Sequence, residues 1–184
     1  MSSKRRIIRL EEQGLLLERR MFEVRSRYLM LYITLNYMPE YRDDISIDDF
    51  LEHRDKFLNN FESNKLLRGI KAYIWKIEEG EKSGLHIHFL IFYSAEFRAD
   101  VSLAKCIGEY WVDVITHGMG AYWNSNAEKE KFERQGLWGL GQANRKDDER
   151  RAGVRRIIRY LAKSDQAVSG LPPHGRRFGM SQLP

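Results

Sequence analysis

Residues 70–94 read IKAYIWKIEEGEKSGLHIHFLIFYS. Two runs rich in aromatic and β-branched residues, Ile70 to Glu79 and Leu85 to Ser94, flank the polar connection GEKSG, which predicts a β-hairpin. Side chains on a strand alternate between faces. In the second run Leu85, Ile87, Phe89 and Ile91 point one way and supply a core, and His86 and His88 point the other, with Leu90 and Phe92 beyond them. In the first run Tyr73, Trp75 and Ile77 should face the core, which leaves Lys76 and Glu78 on the histidine side. Glu79 competes with Glu78 if the strand carries a bulge.

Outward from the hairpin, hydrophobic periodicity predicts a helix over 5–26, a strand from Tyr28 to Tyr37 ended by Pro39, and a helix from a Ser46/Asp49 capping box to about Ser63. Phe50, Phe57 and Phe61 would share one face of that helix. Asp100 is expected to cap a helix running to Thr116, with Leu103, Cys106, Ile107, Tyr110, Trp111 and Val114 on its inner face. Residues 122–135 are expected to be irregular, and 136–142 to be a short edge strand. A last helix is predicted over 148–163, where Val154, Ile157, Ile158 and Leu161 follow the i, i+3, i+4, i+7 rule. The expected fold class is α+β, a central antiparallel sheet with flanking helices. The expected organisation is one domain over 1–184, with an N-terminal helix in 1–27 and a basic, loosely ordered tail at 165–184.

The 184 residues suffice for one hydrophobic core, and 42% hydrophobic with 12% aromatic residues fits a globular chain. No apolar run approaches the ~20 residues of a membrane helix, so no membrane partner is expected. The basic N-terminus lacks a signal-peptide core, and the single cysteine, Cys106, forms no internal disulfide, which points to a reducing cytoplasm. Cys106 reads as a core residue, not a nucleophile. The net charge of +5 is unevenly spread: residues 143–184 hold ten Lys or Arg against four Asp or Glu, a local excess of +6. Clustered cations suit a phosphate-backbone partner, although a solvated helix face looks the same.

His86 and His88, at i and i+2 on a strand, can place two imidazoles on one metal ion, and a facing Glu78 adds a hard carboxylate. Such a mixed set suits Mg²⁺ or Mn²⁺ with open positions for water and phosphate oxygens. On the last helix Tyr160 lies at the flank of the apolar stripe, with Arg156 and Lys163 on the same side. Periodicity alone does not single it out among nine tyrosines. Arg155, Arg156, Arg159, Arg176 and Arg177 are candidate DNA-backbone contacts, and Tyr122, Trp123 and Trp138 are candidate stacking residues. GLWGLG at 136–141 lacks the lysine and helix of a phosphate loop. His53, His117 and His174 are scattered and read as surface or structural.

His86-Ile87-His88, a glutamate across the hairpin, the strand YITLNY at 32–37 and the later Tyr160-Leu161-Ala162-Lys163 together resemble the HUH endonucleases. WKIEEGEKSGLHIHFLIFY, EYWVDVITHGMGAYWNSN, IRYLAKSDQ and the terminal RRFG are similar to the replication initiators of filamentous phages and prophage elements. The resemblance covers roughly residues 28–180. It implies that His86, His88 and Glu78 hold the metal, that Tyr160 attacks single-stranded or hairpin-extruded origin DNA, and that Lys163 places the phosphate or stabilises the phenolate. It also implies a 5′-phosphotyrosine, a free 3′-OH that primes rolling-circle synthesis, a bacterial host cytoplasm, and a host helicase and polymerase as partners. A second motif tyrosine has no counterpart, since positions 163 and 164 are Lys and Ser. A relaxase or transposase would share this chemistry, and a regulator that binds DNA without cutting it is the alternative from another class.

Overall fold

The structure is a computed structural model that describes residues 3–136, 138–163, 167–172 and 174–184. Its elements follow in the order α1 (Ser3–Val24), β1 (Arg27–Tyr37), α2 (Ile47–Asn59), β2 (Ile70–Gly80), β3 (Gly84–Ser94), α3 (Asp100–Tyr110), β4 (Gly120–Asn124), α4 (Lys129–Arg134), β5 (Gly141–Asn144), α5 (Asp148–Lys163) and β6 (Phe178–Met180). The strands form one six-stranded antiparallel sheet in the order β4-β1-β3-β2-β6, with β5 also pairing β1. The expected α+β class holds.

The sheet is apolar on both faces. One face carries Leu29, Leu31, Ile33, Leu35, Trp75, Ile77, Ile87, Phe89 and Ile91, covered by α2 and α3 through Phe50, Phe57, Ala104, Ile107 and Trp111. The opposite face carries Tyr28, Met30, Tyr32, Ala72, Ile74, Leu90 and Phe92, covered by α1 and α5 through Leu17, Met21, Val154, Ile157, Ile158 and Leu161. On that second face the apolar residues occupy only one half of the sheet's length. Toward the other end the same strand positions become Thr34 on β1, Lys76 and Glu78 on β2, and His86 and His88 on β3. The helices cover the greasy half, and the polar half lies at their edge.

The Ser46/Asp49 capping box forms, with Asp49 N donating to Ser46 Oγ and Ser46 N donating to Asp49 Oδ2. Helix α2 ends at Asn59, short of Ser63. Several other expectations change. Asp100 is not a cap: it is the first helical residue, and its carboxylate accepts from Lys129 Nζ at 2.6 Å and Asn126 Nδ2 at 2.8 Å. The buried stripe of α3 runs through Ala104, Ile107 and Gly108 and continues into Trp111 just beyond it, which turns Cys106 outward to solvent, so Cys106 is not a core residue. After Tyr110 the chain makes a wider π-helical turn over Trp111–Ile115, in which Thr116 N donates back to Trp111 O. That turn buries Ile115 and leaves Val114 exposed.

Residues 122–135 are not irregular, since they contain the end of β4, a 3₁₀ turn and α4. The five residues of β4, GAYWN, are too few to show an alternating pattern, and the strand is held by its pairing with Ile33 to Tyr37 of β1. The edge strand expected at 136–142 begins only at Gly141, because the chain before it passes against α5. There Gly139 and Gly153 meet backbone to backbone: a Cβ on Gly153 would lie 2.2 Å from Trp138 O, and one on Gly139 2.4 Å from Val154 N. Within the glycine pattern at 136–141, Gly139 thus serves helix packing, and Gly136 and Gly141 take positive φ. The basic tail is not wholly loose: β6 adds to the free edge of β2, flanked by hydrogen bonds from Ile77 N to Arg177 O and from Ser181 N to Tyr73 O.

β4 and β5 share one edge of β1, pairing with 33–37 and 27–30 respectively. Asn126 fills the gap between them. Its Oδ1 accepts from Tyr32 N at 2.9 Å and its Nδ2 donates to Met30 O at 3.0 Å, so a side-chain amide completes the ladder.

Candidate metal centre and tyrosine cleft

The hairpin register sets Glu78 opposite His86 and Lys76 opposite His88, and the β1–β3 register sets Thr34 opposite His88 on its other side. All these side chains therefore face the same way. One ligand atom from each of Glu78, His86 and His88 lies within 4.8 Å of the others, a grouping that could hold a metal ion. Glu78 Oε2 is 3.3 Å from His88 Nε2 and 3.7 Å from His86 Nε2.

The far side of each imidazole is already engaged. His86 Nδ1 lies 2.9 Å from the Gly84 carbonyl, which can only accept, so Nδ1 carries the proton. His88 Nδ1 lies 2.8 Å from Thr34 Oγ1, which can accept in the same way. Both rings then present the bare Nε2 lone pair inward, toward an anionic oxygen. Three lone pairs converging at 3.3–3.7 Å repel one another unless a cation sits among them, so this donor set fits a divalent ion. Tyr32 stacks on the His88 ring with centroids 5.9 Å apart and planes at 17°, which further fixes that ring.

In the metal-free protein a proton on each inward Nε2 would stand in the cation's place and donate to the same carboxylate. Hydrogen bonds from His86 and then His88, with the charges of His88 and Lys76 adding, hold the Glu78 carboxyl well below the usual carboxylate range. Lys76 is 4% exposed, and its Nζ lies 3.6 Å from Glu78 Oε1, the oxygen turned away from the histidines. Glu79 plays no part in this grouping: its Oε2 accepts from Ser169 N at 2.6 Å.

Tyr160 is on α5, one residue outside the buried stripe of Ile157, Ile158 and Leu161, and its side chain is 54% exposed. A cleft of about 230 Å³ brings Tyr160 together with Tyr32, Thr34, His88, Trp123, Ser125, Gln135 and Ile157. Helix α5 thus delivers its tyrosine to the polar half of the sheet. Burial pushes the Tyr32 phenol up, and the neighbouring Tyr160 and Glu78 add to the effect, so Tyr32 stays protonated. Lys163, three residues beyond Tyr160, is exposed in the last turn of the helix.

The arginines of α5 have protein partners. Arg151 grips Glu18 with Nε–Oε1 at 2.7 Å and Nη2–Oε2 at 3.1 Å, Arg155 Nε is 3.7 Å from Glu18, and Arg159 Nε is 3.0 Å from Glu11. Arg156 donates to Gly136 O. Much of the basic character of α5 therefore binds α1 to it. Arg176 is exposed, and Arg177 is half-buried beside β2. Trp123 is 51% exposed at the cleft, Tyr122 packs on Gly108 of α3, and Trp138 lies under the Arg150 guanidinium. His53 bonds the Tyr37 hydroxyl at 2.7 Å, a structural role, and His117 is exposed beside Lys56. Sequence reasoning assigned no role to Thr34, Asn126 or Gln135. The facing of Thr34 and His88 was latent in the two strand patterns, but only the register reveals it.

No helix among the described residues is long and apolar enough to cross a membrane. No curated protein matches the chain. The family model for the replication-associated protein ORF2 matches residues 30–165. That span takes in most of β1, the hairpin with Glu78, His86 and His88, and the whole of α5 with Tyr160. The chain belongs to this family of replication-associated proteins.

Proposed function

We propose that this protein nicks single-stranded DNA by attack of Tyr160 on a phosphodiester and so starts rolling-circle replication of a phage or prophage element. The observation that carries the reading is the shared cleft: Tyr160 and His88, the latter part of the Glu78/His86/His88 grouping, line one cavity.

A divalent ion, Mg²⁺ or Mn²⁺, held by His86, His88 and Glu78 would polarise the scissile phosphate as a Lewis acid. The Tyr160 oxygen, losing its proton to solvent, forms the new bond to phosphorus. The bond from phosphorus to the 3′ oxygen breaks, and that oxygen takes up a proton and leaves as a free 3′-OH. The products are a 5′-phosphotyrosine and a primer end, with the phosphodiester bond energy retained for rejoining. Lys163 contributes positive charge to the phosphate or to the phenolate. Thr34 and the Gly84 carbonyl hold the two imidazoles in the tautomer that presents Nε2. Arg176 and the solvent-facing cations of α5 supply backbone attraction. Strand separation and synthesis fall to a host helicase and polymerase.

The test is a covalent adduct on a denaturing gel, from the purified protein and a library of single-stranded oligonucleotides with Mn²⁺ or with EDTA. A shifted band that needs the metal and disappears in Tyr160→Phe and His86→Ala is expected. A band that persists in Tyr160→Phe would assign the attack to another residue. Salt-dependent binding with no band for any oligonucleotide would favour a binding protein that does not cut.

A further inference from the structure

Four residues stand in one transverse row across the sheet. Trp123 of β4 pairs with Thr34 of β1, Thr34 with His88 of β3, and His88 with Lys76 of β2. Directly paired residues on neighbouring strands face the same side. Trp123 is therefore on the metal-site face, two strand spacings or roughly 10 Å from His88. Its neighbour Tyr122 turns to the opposite face, where its ring fills the space that a side chain on Gly108 would take. The indole of Trp123 has no such cover. It is 51% exposed, forms a wall of the cleft that holds Tyr160, and has Lys131 Nζ 6.0 Å from its ring centroid.

We infer that this cleft is a base-stacking subsite, in which Trp123 holds a nucleobase next to the phosphate that is cut. The inference rests on the proposed nicking reading and names the part of the DNA that the cleft takes. An exposed indole offers a flat apolar surface to any base, and stacking of this kind is tolerant of sequence. Exposed Gln135 on the same cleft adds an amide, which suits the polar edge of a stacked base. Lys131, whose ammonium lies over the ring and 3.6 Å from Glu128 Oε2, sits on an exposed side chain that can swing aside for a base. The row explains the spacing. A phosphate at His88 and Tyr160 and a base on Trp123 belong to adjacent parts of one nucleotide step. The stack then orients the strand so that the phosphorus, and not a neighbouring base, meets the tyrosine oxygen.

The experiment uses the full chain in EDTA, so that binding is read without cutting. A single-stranded oligonucleotide selected for tight binding from a random library is the probe, alongside versions with one abasic site at each position in turn. Replacing Trp123 by Ala should weaken binding of the intact probe on the order of five- to a hundred-fold, and Trp123→Phe should keep most of the affinity. At one abasic position, wild type and Trp123→Ala should bind equally, because the partner of the indole is already gone. In wild type with Mn²⁺, the nick should map beside that position. Equal ratios of wild-type to Trp123→Ala affinity at every abasic position would overturn the subsite, even if the adduct forms normally. Coupling at one position without any adduct would overturn the nicking reading and leave the stacking site standing. Thermal melts of the Trp123 variants within a few degrees of wild type would confirm that an exposed side chain, and not the fold, was removed.

Discussion

Thr34 Oγ1 lies 2.8 Å from His88 Nδ1, across the pairing of β1 with β3. With Nδ1 protonated, the hydroxyl accepts from the ring nitrogen that faces away from Glu78, so a residue on a strand with no proposed ligand sets the orientation of one. Thr34→Val keeps the shape and loses the acceptor. We predict that Mn²⁺ affinity, measured by isothermal titration calorimetry, falls about 10- to 100-fold and recovers in Thr34→Ser. The melting temperature should move little. Unchanged affinity in Thr34→Val would refute the positioning role.

Glu78 gives a prediction for acid stability in the metal-free protein. Its folded pKa lies below the unfolded value, so its contribution to stability is fully present above the ordinary carboxylate pKa of about 4.3. That contribution is lost as pH falls through the lower folded value. Urea midpoints measured across the acid range should therefore drop less steeply for Glu78→Gln than for wild type. Parallel curves would argue against the carboxylate–imidazole contacts.

Asn126 ties β1 to the start of α3 through one buried amide, bonded to Tyr32 N, Met30 O and Asp100 Oδ2. Asn126→Ala leaves a backbone N–H and a carbonyl unmet in the interior and should cost about 2–4 kcal/mol in urea unfolding. Asn126→Asp should cost at least as much, since it places a second carboxylate beside Asp100 and removes the donor to Met30. A loss under about 1 kcal/mol for both would mean that water replaces the amide.

Glu18 is 2% exposed and receives both Arg151 and Arg155 from α5. Removing one member of a buried charge cluster strands the others, so Glu18→Ala should destabilise by about 3–5 kcal/mol. Double variants in which Arg151 is also replaced by Met should recover part of the loss. Full additivity of the two single changes would show that the pair is not coupled.

Gly153 faces the backbone of Trp138 and Gly139 with no room for a Cβ. Gly153→Ala should push the 138–140 segment off α5 and raise amide hydrogen exchange in β5. The helix itself should keep its far-ultraviolet signal, since Ala favours helix. Unchanged exchange would mean that the segment yields without cost.

The hairpin, the metal-ligating candidates and the last helix were legible from residue pattern alone, because each is a local matter. Alternation along β2 and β3 decides which side His86, His88 and Glu78 take, and the apolar stripe of α5 leaves Tyr160 at its flank. Short β4 and the β6 segment in a basic tail carried no such pattern, since each is a strand only because a neighbour lends it hydrogen bonds. Cys106 was misplaced because a helix stripe can be drawn through more than one set of residues until its packing partner is known. The row from Trp123 through Thr34 and His88 to Lys76, and the arrival of Tyr160 beside it, depend on strand order, on register and on where a helix much later in the chain comes to rest. One sequence states what each strand offers to its two faces. Only the fold, by pairing distant strands and docking α5 on the apolar half of the sheet, decides which of those offers meet.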